Sequence, residues 1–183
     1  MPEYRRAKTP GGTYFFTVNT YRRQPILTIW EVRQALRSGI QKAKQTLPFE
    51  IEAWVLLPDH LHTIWTLPKE DANYAARWAI IKREVSKRCG QLINPSGKLS
   101  ASRGKRKESY FWQRRFWEHQ IRDEIDFQRH MDYLHWNPVK HGLVRKVVEW
   151  PYSTFHRYVA QEVYPPDWGG YEMTDMDEGN FGE

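Results

Sequence analysis

Apolar and polar positions along the chain change period several times, and each change marks a new element. Residues 13–19 (TYFFTVN) follow the pair Gly11-Gly12 and are dense in aromatic and β-branched side chains, which predicts a strand. Thr28, with Glu31 three positions on, predicts a capping box. Val32, Leu36, Ile40, Ala43 and Leu47 then recur at helical spacing until Pro48. Residues 49–57 (FEIEAWVLL) return to period two, with Ile51, Ala53, Val55 and Leu57 expected on one face. The Pro58-Asp59 pair predicts a turn, and residues 60–67 (HLHTIWTL) a third strand hairpinned to the second. Asp71 is expected to cap a second helix striped by Tyr74, Trp78, Ile81 and Val85. Residues 91–110 hold Ser, Gly, Pro, Lys and Arg without an apolar period and predict a mobile basic loop. A fourth strand is expected over 116–122 (FWEHQIR), followed by a third helix capped by Asp123. That helix is expected to end near Asn137, because a residue before proline disfavours helical geometry. A short helix around 153–160 comes last. The order predicts the α+β class: a ferredoxin-like βαββαβ antiparallel sheet with helices on one face and an added C-terminal helix. One domain is expected over residues 1–171, with residues 172–183 as a flexible acidic tail.

Composition narrows the class of partner. The chain has 183 residues, 40% hydrophobic and 27% charged, the profile of a folded globular protein. No apolar run is long enough for a membrane span, and the N-terminus carries no apolar signal core. Cys89 is the only cysteine, which excludes an intramolecular disulfide and fits a reducing, intracellular setting. The net charge is +6, unevenly spread. Residues 172–183 carry five acids and no Lys or Arg, so residues 1–171 hold 28 basic against 17 acidic side chains, a net +11. A body that basic, with nine Trp, ten Tyr and eight Phe, suits a polyanionic partner whose bases stack on aromatic rings.

The candidate chemistry gathers at two places. His60 and His62 are two apart on a strand, so they share a face and could ligate one divalent ion, while Leu61 points away. Tyr133 and Asn137 are four apart on a helix and share a face near its end. An Asn oxygen could complete a metal shell, and a phenol is a poor nucleophile unless a cation assists it. The plainer readings are packed histidines, an interfacial aromatic and a residue chosen for the turn, and the pattern alone leaves both sets open. His119 and His130 could also approach this pocket, whereas His135, two past Tyr133, points elsewhere. Glu118 and Asp132 are candidates for supporting groups.

Several segments carry a family resemblance: Glu3-Tyr4-Arg5-Arg6 with GGTYFFTVN, then LPFEIEAWVLLPDHLHTIWTLP, RRFWEHQIR, MDYLHWNPVKHGLV and WPYSTFHRYV. In this order, over most of residues 3–159, the chain resembles the REP-associated tyrosine transposases, a branch of the single-tyrosine transposases with a His-hydrophobic-His motif. The resemblance implies that His60, His62 and Asn137 bind Mg2+ or Mn2+ and that Tyr133 is the nucleophile. It implies attack on a phosphodiester of single-stranded DNA, displacing a 3′-hydroxyl and leaving a 5′-phosphotyrosine that a second 3′-hydroxyl can resolve. The implied partner is a REP-type DNA hairpin with a short guide sequence, handled by a monomer in the bacterial cytoplasm, in association with the nucleoid. Tyr4, Arg5 and Arg6 resemble the segment that contacts the guide, and Arg103, Lys105, Arg106, Lys107, Arg114 and Arg115 would suit hairpin phosphates. Two alternatives remain: a non-catalytic or domesticated protein that binds such hairpins, and an RNA-recognition module on the same fold, which needs neither metal nor tyrosine.

Overall fold

The structure, a computed structural model, describes residues 8–93, 110–169 and 181. Its elements run β1 (Thr13–Asn19), α1 (Trp30–Thr46), β2 (Glu50–Leu56), β3 (His60–Thr66), α2 (Tyr74–Cys89), β4 (Trp117–Gln120), α3 (Glu124–Lys140) and α4 (Phe155–Ala160). The four strands form one antiparallel sheet in the order β2-β3-β1-β4, the ferredoxin-like arrangement. Among the described residues no helix is long and apolar enough to cross a membrane.

Both faces of the sheet are covered, which explains why β1 is apolar almost without alternation: five consecutive residues, Tyr14 to Val18, are buried. Tyr14, Phe16, Leu61 and Trp65 face α1 and α2, where Trp65 stacks on Trp78 with centroids 4.3 Å apart. Gly39 allows α1 and α2 to approach closely, since a Cβ there would lie 3.2 Å from the Ile81 backbone. Phe15, Ala53, Val55 and Ile64 form the opposite face with Met131, Tyr133 and Leu134 of α3. The helices expected on one face are therefore α1 and α2 alone, and α3 covers the other.

Several local expectations are corrected. A register shift between Ile51 and Ala53 breaks the alternation of β2. Ile51 consequently packs on the α1–α2 side, while Ala53, Val55 and Leu57 line the α3 side. Thr28 does not cap α1: the cap position is Ile29, without a side-chain bond, and the Thr28 carbonyl accepts from Arg33 Nε at 3.1 Å. Asn73, not Asp71, caps α2, accepting from the Ala76 amide at 3.1 Å. Asp71 instead accepts from the buried Arg77 guanidinium at 2.7 Å, and the hydrogen bond from Arg77 holds its carboxyl below the ordinary carboxylate range. The basic loop, expected over 91–110, is ordered at both edges: Gly90–Leu92 is a 3-10 turn, Ile93 is buried, and Tyr110 packs against the core.

The largest correction concerns α3. It does not stop at Asn137 but runs through Pro138 to Lys140. Its end is closed by a Schellman motif: the Leu143 amide donates to the Pro138 carbonyl and the Gly142 amide to the Val139 carbonyl, both at 2.9 Å. Gly142, at φ 66°, takes the left-handed position that this motif requires. Asp123 caps the start as expected, accepting from the Asp126 amide at 2.8 Å.

Candidate active site

The turn between β2 and β3 prepares the first half of the site. The Leu57 amide donates to the His60 carbonyl at 2.9 Å, and the turn carbonyls of Pro58 and Asp59 accept from the Leu27 and Thr20 amides. Asp59 is thereby held beside His60, and its carboxylate accepts from His60 Nδ1 at 2.7 Å. Burial alone would raise the Asp59 carboxyl, but the hydrogen bond and charge of His60, with Arg23 at 2.7 Å, outweigh it and leave the acid below its ordinary range. Donation from Nδ1 places the His60 lone pair on Nε2.

His62 is oriented the same way. Its Nδ1 lies 2.9 Å from the Thr17 hydroxyl, which itself donates to the Phe181 carbonyl at 2.7 Å. A hydroxyl has one proton, so Thr17 accepts from His62 Nδ1–H, and the His62 lone pair also falls on Nε2. Both rings are buried, with centroids 4.9 Å apart.

Helix α3 supplies the second half. The Tyr133 ring lies 5.4 Å from that of His62, and the His141 ring, two turns further, lies 5.1 Å from that of His60. Asn137 is fully buried midway between them in sequence, on the helical face that meets the two histidines. His60 Nε2 and Asn137 Oδ1 are both closed to solvent. Two oriented imidazole nitrogens and an amide oxygen make a donor set that fits a divalent ion of mixed nitrogen and oxygen preference, such as Mn2+.

Two residues beside the site were not foreseen. Lys140 Nζ donates to the Tyr133 hydroxyl at 3.1 Å and lies 4.8 Å from its ring centroid. His141 flanks His60 as described above. Both follow from the continuation of α3 past Pro138, and the run Lys140-His141-Gly142 is itself a helix C-terminus signal. Phe181, from the acidic tail, stacks on Tyr133 with centroids 3.7 Å apart and planes at 11°.

The remaining candidates fall elsewhere. Glu118 faces α2, accepting from the Tyr74 hydroxyl at 3.4 Å, on the opposite side of the sheet. His135 turns away as expected, towards Thr154 and the Phe155 ring, and burial pushes its ring down to about 3. Asp132 accepts from the Tyr164 hydroxyl at 2.5 Å. Arg114 and Arg115 are exposed just before β4. Tyr4, Arg5, Arg6, Arg103, Lys105, Arg106 and Lys107 lie outside the described residues.

No protein-family model matches the chain. The chain is 47% identical over 179 residues to the REP-associated tyrosine transposase of Escherichia coli K12, covering 98% of this chain and 97% of that one. A Haemophilus influenzae chain named for the same family is 46% identical over 171 residues, covering 93% and 94%. Among solved structures, a REP-associated tyrosine transposase bound to a REP hairpin superposes with a TM-score of 0.82 at 46% identity, covering 100% of this chain and 98% of that one. The chain belongs to the REP-associated tyrosine transposase family.

Proposed function

We propose that this protein is a metal-dependent single-stranded DNA transesterase that cleaves and rejoins DNA next to REP-type hairpins, with Tyr133 as its nucleophile. The observation that carries the reading is the approach of the Tyr133 ring to within 5.4 Å of His62, with Lys140 Nζ on its hydroxyl. The complex of its 46% identical relative with a REP hairpin supports the choice of substrate. His60, His62 and Asn137 would hold Mg2+ or Mn2+, which when bound neutralises charge on the phosphate under attack.

The chain's own groups account for the remaining steps. Lys140 stabilises negative charge on the Tyr133 oxygen as its proton leaves for solvent. The oxygen bonds to phosphorus, the bond to the 3′-oxygen breaks, and that oxygen takes up a proton. The 5′-phosphotyrosine keeps the phosphoester bond, so a second 3′-hydroxyl can reverse the attack without an external energy source. Arg114 and Arg115, with the basic residues around them, would hold backbone phosphates.

Incubation with labelled single-stranded hairpin DNA and Mn2+ tests the reading. The expected result is a covalent protein–DNA band, mapped to Tyr133 by mass spectrometry and absent from Tyr133→Phe, whose fold and DNA binding persist because ring volume is conserved. Tight hairpin binding without an adduct in any divalent metal would establish a binding protein instead.

A further inference from the structure

A second group of ligand-type side chains lies on the same side of the sheet, apart from the paired histidines. Strand β4 supplies His119, and the first two turns of α3 supply Asp126 and His130. His119 Nε2 lies 2.8 Å from Asp126 Oδ2, and His130 Nδ1 lies 3.2 Å from Asp126 Oδ1. The two imidazoles stack with centroids 4.5 Å apart and planes at 12°. One donor atom from each residue can be chosen so that all three lie within 4.8 Å of one another.

We propose that His119, Asp126 and His130 form a second metal site, for a divalent transition ion of the zinc class. Two imidazoles and one carboxylate are a donor set that zinc and its neighbours favour and that Mg2+ does not. In a tetrahedral zinc site with bonds of about 2.0–2.1 Å, neighbouring donors stand roughly 3.3 Å apart. The 2.8 Å separation of His119 Nε2 from Asp126 Oδ2 needs only a small rotation to reach that spacing, and His130 brings the third donor into the same group.

The protonation states suit metal uptake. Burial would raise the Asp126 carboxyl, but hydrogen bonds from His119 and from Arg122 outweigh it and bring the acid down to about 2, so it is an anion at neutral pH. Burial also holds His130 below the ordinary histidine range, which keeps it neutral and able to coordinate. His130 Nδ1 donates to the Asp126 backbone carbonyl at 2.7 Å, which fixes the ring and leaves its lone pair on Nε2. The proton shared by His119 Nε2 and Asp126 would move to Nδ1 of the same imidazole. Arg122 Nε, 3.2 Å from Asp126, is the competing cation, but its side chain is 74% exposed and can swing outward. His119, 26% exposed, gives the ion a way in.

The consequence is mechanical. An ion bound here would tie β4 to the first turns of α3, one turn ahead of Tyr133. His130 and Tyr133 both pack on Phe15 and Phe181, so the clasp would steady the wall next to the tyrosine.

The site is tested in the full chain by titration with Co2+, whose visible absorption reports nitrogen and oxygen coordination, and by calorimetry with Zn2+. The His60→Ala/His62→Ala variant should still bind one equivalent. Adding His119→Gln and His130→Gln to it should abolish that binding, with folding checked by circular dichroism. If the four-fold variant does not fold, His119→Gln alone on the His60→Ala/His62→Ala background is the deciding variant, since its partly exposed side chain can be replaced without opening the core. It should weaken binding at least tenfold. The proposal is overturned if the His60→Ala/His62→Ala variant binds no ion, or if loss of His119 and His130 leaves its affinity unchanged. These outcomes do not depend on whether Tyr133 forms an adduct.

Discussion

A histidine serves as a metal ligand only if the correct nitrogen carries the lone pair, and here that choice belongs to Asp59 and Thr17. Their bonds to Nδ1 of His60 and His62 leave the lone pair of each ring on Nε2, the atom that would coordinate the proposed ion. Replacing His60 or His62 with alanine is expected to abolish cleavage and remove one equivalent of bound metal while the fold persists. Asp59→Asn should leave the ligand in place but lower Mn2+ affinity by about 10–100-fold, the usual cost of losing such a supporting group. Unchanged affinity in calorimetry would show that Asp59 only shapes the turn. Lys140 makes a different prediction. A charge-assisted hydrogen bond contributes about 1.5–3 kcal/mol, so Lys140→Ala should slow adduct formation by about 10–100-fold at saturating DNA, with Lys140→Arg restoring part of the rate. A Lys140→Ala enzyme with the wild-type single-turnover rate would remove Lys140 from the chemistry.

Helix α3 brings these groups together, and its length decides which ones meet. A proline inside a helix loses one backbone hydrogen bond, but Pro138 sits in the last turn, where little helix remains to be broken. The Schellman closure at Gly142 secures that turn and positions Lys140 and His141. Gly142→Ala should force a Cβ into the left-handed region at a cost of about 1 kcal/mol, lowering the melting temperature by roughly 2–4 °C. Because the strain falls at the end of α3, cleavage should drop by more than the loss of folded protein explains. Calorimetry alongside single-turnover assays separates the two, and equal losses would mean that the cap serves stability alone.

Across the whole molecule the sheet divides labour between its faces. The α1–α2 face is an aromatic core, while the α3 face carries the paired histidines, the tyrosine and the His119–Asp126–His130 group. Phe181 lies over the tyrosine on this second face, and the tail that carries it is acidic while the body is basic. Phe181→Ala is expected to raise the cleavage rate by uncovering the Tyr133 ring. Removing residues 172–183 should add a gain in DNA affinity that is greatest at low salt, because the tail's five acids compete with DNA phosphates for the basic body and salt screens that attraction. Cleavage and binding measured over a salt series distinguish the two effects. Identical rates and affinities in all three proteins would mean that the tail does not contend for the site.

The order of elements was legible in the local period of apolar residues, and that order matched the ferredoxin-like plan that the sheet adopts. The amino-acid sequence by itself also placed His60 beside His62, and Tyr133 on the same helical face as Asn137, since strand and helix repeats fix those relations without reference to anything else. The apolar stripes of α1 and α2 were legible for the same reason. Local signals failed where neighbours overrode them. The bulge in β2 turned Ile51 to the other side, Arg77 drew Asp71 away from the cap of α2, and the Schellman closure carried α3 past Pro138. Tertiary structure alone decided which faces meet. His119 and His130 are eleven residues apart and become partners only because α3 folds back across β4. Phe181 reaches Tyr133 from 48 residues away. Lys140 finds the tyrosine hydroxyl only through the length of its helix. Sequence periods report what each element buries, whereas the chemistry of this site depends on distances between elements, and those are set by packing.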